Sequence, residues 1–289
     1  MTRAWSWLFS MVAAGAFALL VGIFAWQSRP VWSHEGWRYL TGANWHFRQQ
    51  EFGALPMIYG SAVVALVALL LAAPIGLGAA IFTAEYLPRP ARLAVKALIE
   101  LLAGVPSVVY GLLGILLLRG WIYDLFARFE PLSGDTLLTA GVLLAVMILP
   151  TVVTFSDDAL RAVPATQRRA ARALGLTRAE TILNVTLPQA RRGLASALLL
   201  ALGRSMGETI AVFLVVGRQD NQLPAHLLSL RPLLEAGQTL TTKLGGSETH
   251  IAAGDPLHWA AIVGLGLILL VITGGLTVLG TTLGRKSDA

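Results

Sequence analysis

Six apolar stretches, each 19–26 residues long, dominate this chain: Leu8–Trp26, Met57–Phe82, Ala97–Leu118, Thr136–Phe155, Leu194–Val216 and Trp259–Leu283. At a helical rise of about 1.5 Å per residue, each can cross about 30 Å of hydrocarbon. None alternates with the two-residue period of a barrel strand, and a backbone without water must close its hydrogen bonds internally, so helices are expected. Of 289 residues, 55% are hydrophobic and 13% charged, about half the charged share of a soluble globular chain. The expected fold class is an all-α polytopic membrane protein with six transmembrane helices. The first stretch, 19 residues without interruption, exceeds the roughly 7–15-residue core of a signal peptide and is expected to remain as a membrane helix.

Basic residues set the orientation. With both termini on one side, that side carries Arg3, three basic residues in 83–96, seven in 157–193 and two in the C-terminal tail. These are thirteen of the 22 basic residues, against eight on the other side, and acidic residues run the opposite way. The positive-inside tendency then places the 157–193 loop and both termini in the cytoplasm. The net charge of +6 is therefore a topology signal and does not point to nucleic acid. With no cysteine, disulfides, thiolate nucleophiles and cysteine metal sites are excluded. The run Gly280-Thr-Thr-Leu-Gly284-Arg-Lys-Ser287 has the wrong spacing and context for a phosphate-binding loop. Any ATP chemistry must come from another chain, and no catalytic or metal-ligating set is expected here.

The fifth stretch contains one arginine and one glutamate, Arg204 and Glu208. A charged side chain near mid-bilayer costs about 2.5–3.5 kcal/mol on insertion scales, so by default it faces a partner helix or a watery path. On a continuous helix the i,i+4 spacing sets both on one face. They read either as groups on a translocation route, with Thr209 beside them, or as a static pair joining helices. Gly203 and Gly207 bracket Arg204 as a small-residue ridge suited to close helix packing.

Helices two, three and four each hold a proline, Pro74, Pro106 and Pro150, which removes a backbone bond and kinks a helix. Around Pro106 the run 104–111 adds Ser107 and Tyr110. This section is either a broken helix lining a cavity or a packing kink. Lys96 and Glu100 are one turn apart and are expected to pair locally. Residues 27–53 carry Trp32, Trp37, Tyr39, Trp45, Phe47 and Phe52, as in an interfacial anchor or a docking surface. The mixed charges of 217–257 read as an ordinary solvated face.

The 157–193 loop has the most local grammar. Pro164 suits a first helical turn, Ala170-Ala171-Arg172-Ala173-Leu174 favours helix, and Gly175 is a natural terminator. Thr177-Arg-Ala-Glu180 matches a capping box opening a second short helix, and Leu187-Pro188 is expected to end it. Tethered at both ends to membrane helices, such a pair suits docking of a cytoplasmic protein more than DNA.

Here the sequence resembles a known family. Arg169-Ala-Ala-Arg-Ala-Leu-Gly175, nine residues, then Val185-Thr-Leu-Pro188 resembles the cytoplasmic signature of ABC importer permeases, Glu-Ala-Ala-x3-Gly-x9-Ile-x-Leu-Pro. Two positions depart: Arg169 replaces the usual glutamate, which puts that glutamate's pairing with the ATPase in doubt, and Val185 replaces isoleucine. Gly104-Val-Pro-Ser-Val-Val-Tyr-Gly111 and Gly203-Arg-Ser-Met-Gly-Glu-Thr-Ile-Ala211 resemble the phosphate-specific members, the PstC-type subunit more than the PstA-type. The resemblance implies a type I importer permease of MetI-like architecture, with residues 1–55 as an N-terminal helix plus external segment and 56–289 as the permease domain. Coupling helices would lie at about 164–188. It implies ATPase coupling through Arg169, Ala170, Ala171, Leu174, Gly175, Leu187 and Pro188, and a substrate path along Arg204, Glu208, Thr209, Ser107 and Tyr110. The implied partners are a PstA-like second permease, a PstB-like ATPase dimer using ATP and Mg2+, a PstS-like phosphate-binding protein and membrane lipids, in a bacterial inner membrane. A permease for molybdate, sulfate or tungstate is the nearest alternative. A secondary transporter or channel would not need the Gly175 to Leu187-Pro188 spacing.

Overall fold

A computed structural model describes residues 2–224 and 231–285. The chain opens with the long helix α1 (Thr2–Gln27), then two short helices, α2 (Arg29–Glu35) and α3 (Arg38–Thr41). A two-stranded antiparallel hairpin follows, β1 (Trp45–His46) and β2 (Glu51–Phe52). Helix α4 (Leu55–Ile81) runs through Pro74 and closes in a wide π-type turn, Phe82–Tyr86. After α5 (Arg89–Ala103), helix α6 (Ser107–Leu113) passes through a second wide turn into α7 (Arg119–Leu125). Helix α8 (Leu137–Ala162) contains Pro150 and is capped by Thr136, whose hydroxyl accepts the Thr139 amide.

Helices α4 and α8 form the centre of the bundle. Val64, Ala68 and Ala72 meet Ala140, Leu144, Ile148 and Val152 in one buried cluster. Small residues on the buried face of α4, among them Ala68, Ala72 and Gly76, permit the approach: a Cβ at Gly76 would come within 2.6 Å of Val152. A second cluster joins Val31, Tyr39, Trp45 and Phe52 to Ala261, Ile262 and Leu265 of the last helix, α15 (Pro256–Arg285), whose further packing on α1 and α11 completes the bundle. Between them lie α9 (Ala165–Ala173), α10 (Arg178–Thr181), α11 (Leu187–Met206), α12 (Ile210–Val215), α13 (Leu240–Leu244) and α14 (Glu248–Ala252).

The helical class is as expected, the small hairpin aside. Among the described residues five helices are long and apolar enough to cross a membrane: Trp5–Gln27, Leu55–Tyr86, Ser107–Leu125, Leu137–Ala162 and Pro256–Gly284. The expected third span is displaced, because Gly104, Val105 and Pro106 interrupt the helix and the span starts only at Ser107. Pro106 cannot donate a backbone bond, so the chain uses it to end one helix and begin the next. The expected fifth span is not one helix: it breaks after Met206 and resumes at Ile210.

Three local expectations are corrected. Lys96 does not pair with Glu100; its Nζ lies 3.2 Å from Asp157 and 3.3 Å from Asp158 on α8. Asp157 is buried and needs a cation, whereas Glu100 is exposed to solvent or lipid. Leu187-Pro188 does not end α10. A wide turn at Ile182–Thr186 carries the chain into α11, absorbing the bond Pro188 cannot make. Finally, the 27–53 segment is more than a surface feature: Trp37 is exposed, but Tyr39, Trp45 and Phe52 are buried, and the Tyr39 hydroxyl donates to the Ala261 carbonyl at 2.7 Å.

Candidate functional site

Helix α11 stops at Met206, with Gly207 as its cap, and the chain resumes as α12 at Ile210. Glu208 leaves the helical path, and its Oε1 lies 3.5 Å from the Ala211 amide at the start of α12. Its carbonyl accepts the Thr241 hydroxyl at 3.0 Å. One backbone group of the break is thus satisfied by α13, which is itself held by the Ser61 hydroxyl accepting from the Leu240 amide at 2.8 Å. An unwound segment at membrane depth is tolerated only with such partners.

The break separates the two charges. Arg204, on the last turn of α11, is exposed on the chain surface, while Glu208 is half-buried beside Ser61, Ser205 and Thr241. Among the described residues Arg204 has no ion-pair partner, and the expected sharing of one helix face with Glu208 is lost because the helix does not continue between them. Of the glycine ridge, Gly203 packs toward Thr273 and Thr277 of α15, whereas Gly207 caps α11 and faces outward.

The other interruption lies alongside. Helix α6 packs on α12 so closely that a Cβ at Gly111 would come within 2.5 Å of Leu214, which brings the half-helix starting at Ser107 next to the one starting at Ile210. The Tyr110 hydroxyl donates to the Leu102 carbonyl at 3.0 Å, across the Gly104–Pro106 break, so the phenol supplies a bond the proline withholds. Thr209 Oγ1 lies 3.4 Å from the Gly207 carbonyl. A cavity of about 340 Å³ lies elsewhere, lined by Phe129, Glu130, Ser133, Gln219 and Glu235 among others, and includes none of Arg204, Glu208, Thr209, Ser107 and Tyr110.

The wedge forms much as its grammar requires. Gly175 adopts φ +90°, a left-handed turn that favours glycine, and the Thr177 side chain and Glu180 close a reciprocal capping box. The Thr177 hydroxyl and amide hold the exposed Glu180 carboxyl below its usual value. Within α9, Ala171 is buried against the protein while Ala170 and Arg169 face out, and Leu174 is 83% exposed. A large aliphatic side chain thus projects from the turn that ends α9.

Residues 72–286 match the model of the family described as binding-protein-dependent transport system inner membrane component. The chain belongs to that family. It is 35% identical to the phosphate transport system permease protein PstC of Mesorhizobium japonicum, covering 91% of this chain and 82% of that one. It is also 35% identical to the probable ABC transporter permease protein YqgH of Bacillus subtilis, over 92% and 83%. In fold it resembles an inward-facing MetNI methionine ABC transporter, with TM-score 0.56 at 19% identity, over 81% of this chain and 95% of that one. As a family member it is a multi-pass inner-membrane permease component.

Sequence reading missed one charged site in this permease. In the 217–257 segment, Lys243 is buried, 2% exposed. Its Nζ lies 2.7 Å from Asp220 Oδ2, contacts Glu248, and sits 5.0 Å over the Trp45 ring. Glu248 also accepts from the Trp45 indole at 2.5 Å and meets His258 Nε2 at 2.8 Å, while His258 stacks between Phe47 and Phe52. A cavity of about 230 Å³ borders this cluster at Arg218 and Asp220. Trp45 and Glu248 lie 203 residues apart, so no local pattern announced them. Burial pushes the Glu248 carboxyl upward, but the Lys243 and Trp45 hydrogen bonds and the lysine charge outweigh it and hold it below 4.5. A carboxyl lowered on folding contributes stability that is complete above its unfolded value and is lost as pH falls through the lower folded one. The melting temperature in detergent should therefore show a Glu248-dependent decline only below about pH 4.5. An unchanged acid limb in Glu248→Gln would contradict this assignment.

Proposed function

We infer that this chain is the membrane-spanning permease subunit of an ATP-driven importer that moves inorganic phosphate across the bacterial inner membrane. The observation that carries this reading is Arg204: a guanidinium exposed beside a helix break, without an acidic partner of its own among the described residues. A bare guanidinium is disfavoured against lipid, so that face belongs to a polar path or a partner subunit. Its planar fork suits an oxyanion. The named PstC relative supports phosphate as that anion. The chain carries no catalytic role; a separate ATPase dimer hydrolyses ATP with Mg2+. A PstA-like permease completes the path, a PstS-like protein delivers phosphate, and both termini and the wedge face the cytoplasm. Glu208, Thr209, Ser107 and Tyr110 line the path near Arg204, with Glu208 available to accept from protonated phosphate.

ATPase activity of the reconstituted complex tests the reading directly. Phosphate-loaded binding protein is expected to stimulate it, with sulfate- or molybdate-loaded protein inert; stimulation by either of those without phosphate would reassign the substrate. The wedge has its own test. Leu174→Cys is expected to crosslink to the ATPase, and absence of the crosslink in every nucleotide state would remove the docking role from residues 169–188.

A further inference from the structure

The wedge is joined to the membrane helices by backbone at Val163-Pro164 and through the wide turn Ile182–Thr186 into α11. On the α8 side the helix is interrupted at Val163-Pro164, so movement of α9 reaches α4 and α8 through side-chain contacts. The polar part of those contacts centres on one carboxylate. Glu85 lies in the wide turn that closes α4, with its side chain 3% exposed, and meets Arg168 of α9 at 2.5 Å. The same guanidinium donates to the Leu160 carbonyl at the end of α8. From α10, Arg178 donates to the Glu85 carbonyl oxygen, and its guanidinium covers the Tyr86 ring at 4.7 Å. Arg168 and Arg178 thus tie α9 and α10 to the buried Glu85, and the same Arg168 guanidinium holds the end of α8. A carboxylate taken out of water is heavily penalised unless paired and hydrogen-bonded, so the contact resists both loosening and sliding.

We propose that Glu85 is a positioning residue that transmits movement of the 164–188 wedge to α4 and α8. This rests on the reading that the wedge receives the ATPase. The geometry divides α9 into two faces with distinct work. Arg168 and Ala171 point inward, and Arg169 and Leu174 point outward. Because α4 and α8 pack along most of their lengths, a displacement delivered at Glu85 and Leu160 reaches both as a rigid pair. The charge reversal at Arg169 does not touch this route, since Arg169 bonds only back to the Ala165 carbonyl at 3.4 Å among the described residues.

The test uses the whole complex in proteoliposomes with its ATPase and phosphate-loaded binding protein, comparing wild type, Glu85→Gln and Glu85→Asp at equal amounts of assembled complex. The expected result is that Glu85→Gln hydrolyses ATP at the basal rate but moves at least tenfold less phosphate per ATP, with Glu85→Asp recovering part of the ratio. A residue that only stabilises the fold would lower the yield of complex and leave phosphate moved per ATP unchanged; that outcome overturns the proposal. If Glu85→Gln does not assemble, Arg168→Lys carries the same comparison, since it keeps the charge but loses the second bond to Leu160. The Leu174→Cys crosslink separates the two readings. Its absence in wild type removes the wedge as the docking element, whereas its presence with an unchanged ratio in Glu85→Gln removes only the role of Glu85.

Discussion

Arg204→Ala is expected to reduce phosphate uptake by the assembled complex roughly a hundredfold while leaving the amount of complex unchanged. Hydrogen bonds to a charged partner are worth about 1.5–3 kcal/mol each, and a guanidinium presents two in parallel to an oxyanion. Losing the fork therefore removes at least one such contribution where the anion has shed its water. Stability should hardly move, because the side chain is exposed and leaves no carboxylate among the described residues uncompensated. Arg204→Lys keeps the charge but not the planar geometry and should fall between the two. Uptake of labelled phosphate by vesicles carrying each variant, normalised to complex, makes the measurement. Uptake at the wild-type rate in the alanine variant would remove Arg204 from the path, and loss of complex rather than of transport would make it a scaffold residue.

The second large effect is on stability. Lys243→Met is expected to destabilise the protein by about 3–5 kcal/mol, because it leaves Asp220 and Glu248 facing each other without their buried cation. The corresponding fall in melting temperature is on the order of 10 °C. Replacing Glu248 as well, in Lys243→Met/Glu248→Gln, should recover part of the loss, since it removes one of the two stranded charges. The cluster joins the hairpin at Trp45, the start of α15 at His258 and the segment after α12 at Asp220. Its loss should therefore also loosen the hairpin, read as a change in tryptophan fluorescence. A melting curve that does not shift would show that the ion pairs are dispensable.

What was legible in the sequence is what a short window contains. Span length, the bias of basic residues, the capping box at Thr177 and the left-handed turn at Gly175 depend on neighbours within a few positions, and helix physics acts at that range. The prolines marked interruptions, but only the packed structure distinguishes them: Pro74 and Pro150 are carried within helices, Pro106 starts a new one, and Pro188 is accommodated by a wide turn before it. The break at Gly207 had no comparable local sign, because Thr241 and Ser61, which satisfy and support it, come from other parts of the chain. The same holds for the charges. Glu85 with Arg168, Lys96 with Asp157 and Lys243 with Asp220 pair across folded distance. A desolvated charge selects the cation or carboxylate that tertiary packing brings within reach, whatever its position along the sequence. The residues alone determined that this chain spans a membrane and presents a helical wedge; tertiary packing decided which charges are clamped and that Arg204 stands free of Glu208, because those outcomes depend on contacts between distant segments.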